Sequence, residues 1–116
     1  MGLDLRVQGY KTDNTKIGSY SGFGNFRESW AKHLGFNLKE MDGFGGEKKW
    51  TNEPIQAFFN HSDCEGEISV EDCKEILIQA EKDQPLLTDE QSKYSMPILI
   101  NFCKASIKNN KALEFC

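Results

Sequence analysis

The sequence predicts an α+β domain in which a small antiparallel sheet, made from an N-terminal hairpin and a C-terminal strand, packs against about four helices. Three observations carry that expectation. Leu3, Leu5 and Val7 alternate with Asp4, Arg6 and Gln8, the period-two pattern of a strand with one buried face. Leu113 and Phe115 alternate in the same way with Ala112 and Glu114. Between these two stretches, apolar residues recur at three- and four-residue spacing, as they do on the inner stripe of a helix.

The first strand is followed by Lys11-Thr12-Asp13-Asn14-Thr15, whose Asp and Asn favour a turn, and Lys16 to Tyr20 returns antiparallel. Ser21-Gly22-Phe23-Gly24-Asn25 reads as a break. A helix over about residues 24–34 then carries Phe26, Trp30 and Leu34 on one face and stops at Gly35; His33 is expected to be a partly exposed residue without a role. Phe36 to Trp50, with Gly43, Gly45 and Gly46, reads as a connection holding a short extended piece at Leu38 to Met41. Thr51 caps the next helix, with Pro54 in its first turn and Ile55, Phe58 and Phe59 as its buried stripe. Ser69 followed by Glu71 and Asp72 starts a third helix, in which Val70, Cys73, Ile76, Leu77 and Ala80 share a face. Thr88 and Gln91 form a capping box for a fourth, whose inner stripe is Leu99, Phe102, Cys103, Ser106 and Ile107. Pro97 either kinks this helix or marks its first turn.

A chain of 116 residues suits a single domain with one core. With 38% hydrophobic and 28% charged residues and a net charge of −4, the composition describes an ordinary soluble surface around a packed interior. No apolar run approaches the roughly 20 residues that span a bilayer, and Met1-Gly2-Leu3-Asp4 does not open like a signal peptide, so the expected location is the cytoplasm. In that reducing compartment Cys64, Cys73, Cys103 and Cys116 are expected as free thiols. A pI near 5.2 without a basic cluster argues against nucleic acid.

The stretch F-F-N-H-S-D-C-E-G-E-I-S-V-E-D-C-K-E-I-L, Phe58 to Leu77, places several unusual residues at mutually dependent spacings. It reads as helix, tight acidic loop and helix, and resembles an EF-hand. There, ligands occupy loop positions 1, 3, 5, 7, 9 and 12 and a glycine occupies position 6. With Gly66 at position 6, the resemblance implies His61, Asp63, Glu65, Glu67 (by its carbonyl), Ser69 and Asp72, with Ile68 as the apolar anchor. Of these, Asp63, Glu65, Glu67, Ser69 and Asp72 are the candidate metal ligands. His61 is a nitrogen ligand where Ca²⁺ takes oxygen, and Asp72 is one methylene shorter than the glutamate usual at position 12. EF-hands usually work in pairs, and the sequence holds no second loop of this pattern. An empty, structural loop and a weak Ca²⁺ or Mg²⁺ site are the two readings.

The same run also resembles a group of small uncharacterised bacterial and phage proteins that share an H-S-D-C-(D/E)-G signature. Its companion segments are present in order: Ser19 to Arg27 (S-Y-S-G-F-G-N-F-R), Met41 to Gly46 (M-D-G-F-G-G) and the closing Leu113 to Cys116 (L-E-F-C). That resemblance implies no activity, substrate or cofactor.

Other chemistry is weaker. His61, Asp63, Cys64 and Cys73 lack the C-x₂-C pairs of a zinc site. Cys64 with His61 as base is a poor nucleophile between Asp63 and Glu65, which disfavour its thiolate. The glycine-rich Ser21 to Asn25 segment lacks the lysine of a phosphate loop. Lys104, Lys108 and Lys111 share a helical face that is ordinarily solvated. The expected function is therefore a non-enzymatic cytoplasmic accessory or interaction protein, monomeric or weakly dimeric, with a protein partner and no membrane or nucleic-acid role. A Ca²⁺- or Mg²⁺-binding module is the alternative.

Overall fold

In the computed structural model, which describes residues 3–12, 15–41, 46–49, 55–59 and 66–115, the elements follow the order β1 (Leu3–Arg6), β2 (Lys16–Gly18), α1 (Tyr20–His33), α2 (Gln56–Phe59), β3 (Gly66–Ile68), α3 (Val70–Asp83), α4 (Glu90–Asn109) and β4 (Leu113–Phe115). Short 3-10 turns occupy Leu38–Glu40 and Gln84–Leu86. The fold is α+β, as the alternating termini and the helical stripes between them imply. Three helices, α1, α3 and α4, make up most of it; α2 is one turn within the described residues.

The four strands form an antiparallel sheet in the order β2-β1-β4-β3. Leu5 pairs with Phe115 and Arg6 with Glu114, so the N-terminal hairpin and the C-terminal strand meet as expected. β3 was not expected. It lies on the other side of β4, with Gly66 opposite Phe115 and Ile68 opposite Leu113, which makes β4 an inner strand. One face of the sheet is apolar: Leu3, Leu5, Ile17, Ile68, Leu113 and Phe115 are all buried under the helices.

α1 begins earlier than glycine content suggests. Ser19, with extended backbone, accepts a hydrogen bond from the Gly22 N–H at 3.0 Å, so the helix starts at Tyr20 and Gly22 and Gly24 lie inside it. A Cβ at Gly22 would come 2.7 Å from Gln91 Oε1, so close packing against α4 accounts for the glycine. Leu34 closes the helix and Gly35, at φ +99°, leaves it.

Met41 itself forms an isolated parallel bridge with Lys48, and Leu38–Glu40 is a 3-10 turn capped by Asn37 where an extended piece was expected. A side chain at Gly46 would run into the Glu40 backbone. For α4 the cap is Asp89, which accepts from the Ser92 N–H, and not Thr88. Gln91 is thereby free to donate to Ser95 Oγ at 2.8 Å, and Ser95 donates to the Ile17 carbonyl at 2.7 Å, pinning α4 to β2. Pro97 lies inside α4, where it removes one i→i−4 hydrogen bond.

Aromatic rings fill the space between α1 and the rest. Phe26 stacks on Trp30 at 5.7 Å, Phe23 meets Phe115 edge-on at 5.8 Å, and Trp30 touches Phe58 and Phe59. At the rim of this cluster lies Asp83, the last residue of α3, only 2% exposed. Its Oδ2 accepts from Trp30 Nε1 and Gln79 Nε2, each at 2.8 Å, and His33 Nε2 stands 3.4 Å from Oδ1. His33, expected as a partly exposed helix residue, is so placed, with this carboxylate beside it. A carboxylate buried without such donors would cost several kcal/mol, so α1 and α3 are held in register by a group that tolerates no misfit.

Trp30→Phe, which keeps most of the ring but removes its N–H, should lower stability by about 1–3 kcal/mol. In urea this appears as a lower midpoint at unchanged slope. An unchanged midpoint would show that Asp83 does not depend on this bond.

Candidate functional site

The approach to the loop is secured by an arginine on an otherwise apolar stripe. Phe23, Phe26, Arg27, Trp30 and Ala31 recur at helical spacing and all are buried, Arg27 to 3% exposure. Its Nη1 donates to the Phe59 carbonyl at 3.1 Å and to that of Phe58 at 3.4 Å, and its guanidinium lies 4.7 Å from the centre of the Phe23 ring. These carbonyls belong to the last two described residues of α2. Arg27 therefore ties α2 to α1.

The loop's first half, with the candidate ligands Asp63 and Glu65 and their neighbours His61 and Cys64, lies outside the described residues. Its second half runs through β3 into α3. Gly66 has φ +106°, in the region that favours glycine, as a sharp turn at that position requires. Ile68 is buried against the core. Ser69 caps α3 by accepting from the Asp72 N–H at 3.2 Å, and Glu71 and Asp72 occupy the first turn, where acids favour the helix dipole. The structure thus places Glu67, Ser69 and Asp72 in one short span, with Glu67 exposed on β3. Among the described residues, no three His, Cys, Asp or Glu side chains converge as metal ligands.

Glu67 faces Glu114 directly across the β3–β4 ladder, and Arg6 faces Glu114 across β4–β1. Like charges opposite each other in a sheet repel. Arg6 offsets this with two bonds to the Glu114 carboxylate, Nη2 to Oε1 at 2.9 Å and Nε to Oε2 at 3.3 Å. Those bonds hold the Glu114 carboxyl below the ordinary glutamate value.

Behind the loop, Cys73 and Cys103 are buried free thiols, and Cys73 Sγ stands 3.9 Å from the Ile68 carbonyl. Sequence reasoning read both as core residues, which they are, without bringing them together. Arg27 it passed over, although its place on the stripe of Phe23, Phe26 and Trp30 was a visible signal. An open groove of about 670 Å³ beside α1, lined by Glu28, Lys32, Phe36, Lys39, Glu40 and Lys48 among others, mixes both signs of charge. No described helix is long and apolar enough to cross a membrane.

In comparisons with known proteins, no family model, curated protein or solved structure matches the chain.

Because its folded pKa is depressed, the Glu114 carboxylate contributes stability above its unfolded pKa, near the ordinary 4.5, and that contribution is lost as pH falls through the lower folded value. Arg6→Gln should bring the Glu114 titration, followed by carboxyl NMR, back up toward 4.5. An unmoved titration would assign the shift to another group.

Proposed function

We propose that this protein is a non-enzymatic accessory or interaction protein of the cytoplasm in which the 61–72 loop is chiefly architecture. The observation that carries this reading is the pairing of β3 with β4. In paired EF-hands the corresponding edge serves a second loop; in this chain the C-terminal strand takes that edge, so the loop's product is a correctly seated strand. The helix–loop–helix of EF-hand-like shape, and with it the four-helix description, belongs to the same proposal. Gly66 at φ +106°, buried Ile68 and the Ser69 cap support it.

The second reading, a Ca²⁺ or Mg²⁺ module using Asp63, Glu65, Glu67, Ser69 and Asp72, is favoured by the position of Asp72 in the first turn of α3, where the last ligand of such a loop falls. Thermal unfolding in EDTA and in millimolar CaCl₂ separates the two. An ion that binds only the folded state adds about 2.7 kcal/mol at a hundredfold excess over Kd, which for a domain of this size raises Tm by roughly 5–15 °C. Overlapping curves are expected. A rise of that order, abolished by Asp72→Ala, would make the loop a cation site.

A further inference from the structure

The lysine-bearing face of α4 has a wall opposite it. The turn after β1 brings Gly9 and Tyr10 against this face, and together they enclose an open-sided cavity of about 230 Å³. Lys104 and Lys108 line it, with the buried Ala105 between them in the chain and with Asn101 and Asn109. Bonds within the fold set the wall in place. Gly9 has φ +90°, the Tyr10 N–H donates to the Val7 carbonyl at 3.0 Å, and Asn109 Nδ2 donates to the Gln8 carbonyl at 3.4 Å. The Tyr10 ring stands edge-on to Phe102 of the core, with centroids 5.2 Å apart. The cavity is therefore formed before any ligand arrives, as small-molecule sites usually are.

Its charge runs against that of the whole. The chain carries a net −4, yet none of the cavity's lining residues is acidic. The acids that commonly accompany helical lysines are missing as well. Positions three and four residues from Lys104 hold Ile100, Asn101, Ile107 and Lys108, and those from Lys108 hold Lys104, Ala105, Lys111 and Ala112. Like charges four residues apart on a helix repel, and among the described residues neither lysine has an ion-pair partner. Lys108, in the last turn of α4, serves the negative end of the helix dipole. Lys104 lies a turn further in, where that effect has faded, so the dipole does not account for it.

We propose that this cavity binds a small phosphate monoester, its phosphoryl group held by Lys104 and Lys108 and its organic part against Ala105 and the Tyr10 ring. At neutral pH a phosphate monoester carries close to two negative charges, which match two ammonium groups, whereas a carboxylate matches one. Lysine binds phosphate as a point charge and needs no fixed fork geometry to do so. The volume lies below the roughly 300–1,000 Å³ of sites for drug-sized ligands, so the ester is a compact one. Neither the 61–72 loop nor a protein partner plays any part in this inference.

The test is a titration of the full chain at neutral pH, followed by amide NMR, with phenyl phosphate as the ligand. Inorganic phosphate and acetate are the comparisons, and NaCl holds the ionic strength constant. Phenyl phosphate is expected to saturate and to shift the amides of Gly9, Tyr10, Asn101, Lys104 and Lys108, with inorganic phosphate binding more weakly and acetate most weakly. Lys104→Gln and Lys108→Gln should each raise the Kd about fivefold, the upper range for an exposed charge pair. Lys93→Gln, at an exposed lysine of the same helix outside the cavity, should leave it unchanged. Shifts that do not saturate, a footprint away from Gly9 and Tyr10, or a Kd raised as much by Lys93→Gln as by the cavity variants would overturn the proposal. Acetate or inorganic phosphate binding as tightly as the ester would overturn the assigned ligand class. All three lysines are exposed, so the variants keep the fold, which their amide spectra check directly.

Discussion

β4 joins the two halves of the sheet. Glu114 and Phe115 pair with β1 on one side, and Leu113 to Phe115 pair with β3 on the other, so the N-terminal hairpin and the loop strand meet through it. The strand reaches that position because Asn110 adopts the left-handed conformation at φ 52°, which Asn tolerates, and because Ser106 Oγ donates to the Lys111 carbonyl at 2.6 Å across the turn. With β4 seated, Leu113 and Phe115 present the apolar floor on which the helices rest. Without it, the hairpin and the loop strand would be two fragments, each too small to be stable in water.

On the helical side the same role falls to two buried charged residues. Arg27 on the inner face of α1 and Asp83 at the end of α3 meet the same aromatic cluster, one donating to two carbonyls of α2, the other accepting from Trp30 and Gln79 with His33 alongside. An aromatic cluster tolerates several packings of similar volume. A carboxylate with two donors at 2.8 Å and a guanidinium against two carbonyls tolerate far fewer, because each alternative leaves a charge unsatisfied.

Much of this is written locally, and what is not depends on residues far apart in the chain. Leu3, Leu5 and Val7, and Leu113 and Phe115, announce strands because one face of the sheet is buried, and Ser69 announces α3 because its cap is made within four residues. The start of α1 was obscured by Gly22, whose use is set by Gln91, about 70 residues away. Asp83 closes an amphipathic helix and reads as a solvated acid; only Trp30, 53 residues upstream, makes it a core residue. β3 is a strand because β4 lies beside it, and nothing in Gly66-Glu67-Ile68 says so by itself. In the candidate site, Gly66 and Ser69 behave as their spacing implied. The reach of Arg27 to α2 is a product of helix packing that no local pattern encodes.

The central place of β4 has a consequence for synthesis. Arg6 and Glu114, bonded neighbours in the finished sheet, are 108 residues apart. At translation rates of about 5–20 residues per second, β1 waits roughly 5–20 s for its inner partner. During that interval the apolar face of Leu3, Leu5 and Val7 has only the short β2 hairpin to lean on. A nascent chain of this kind is exposed to mispairing until its last strand emerges, and helper proteins that shield emerging chains have their greatest effect on it in that window.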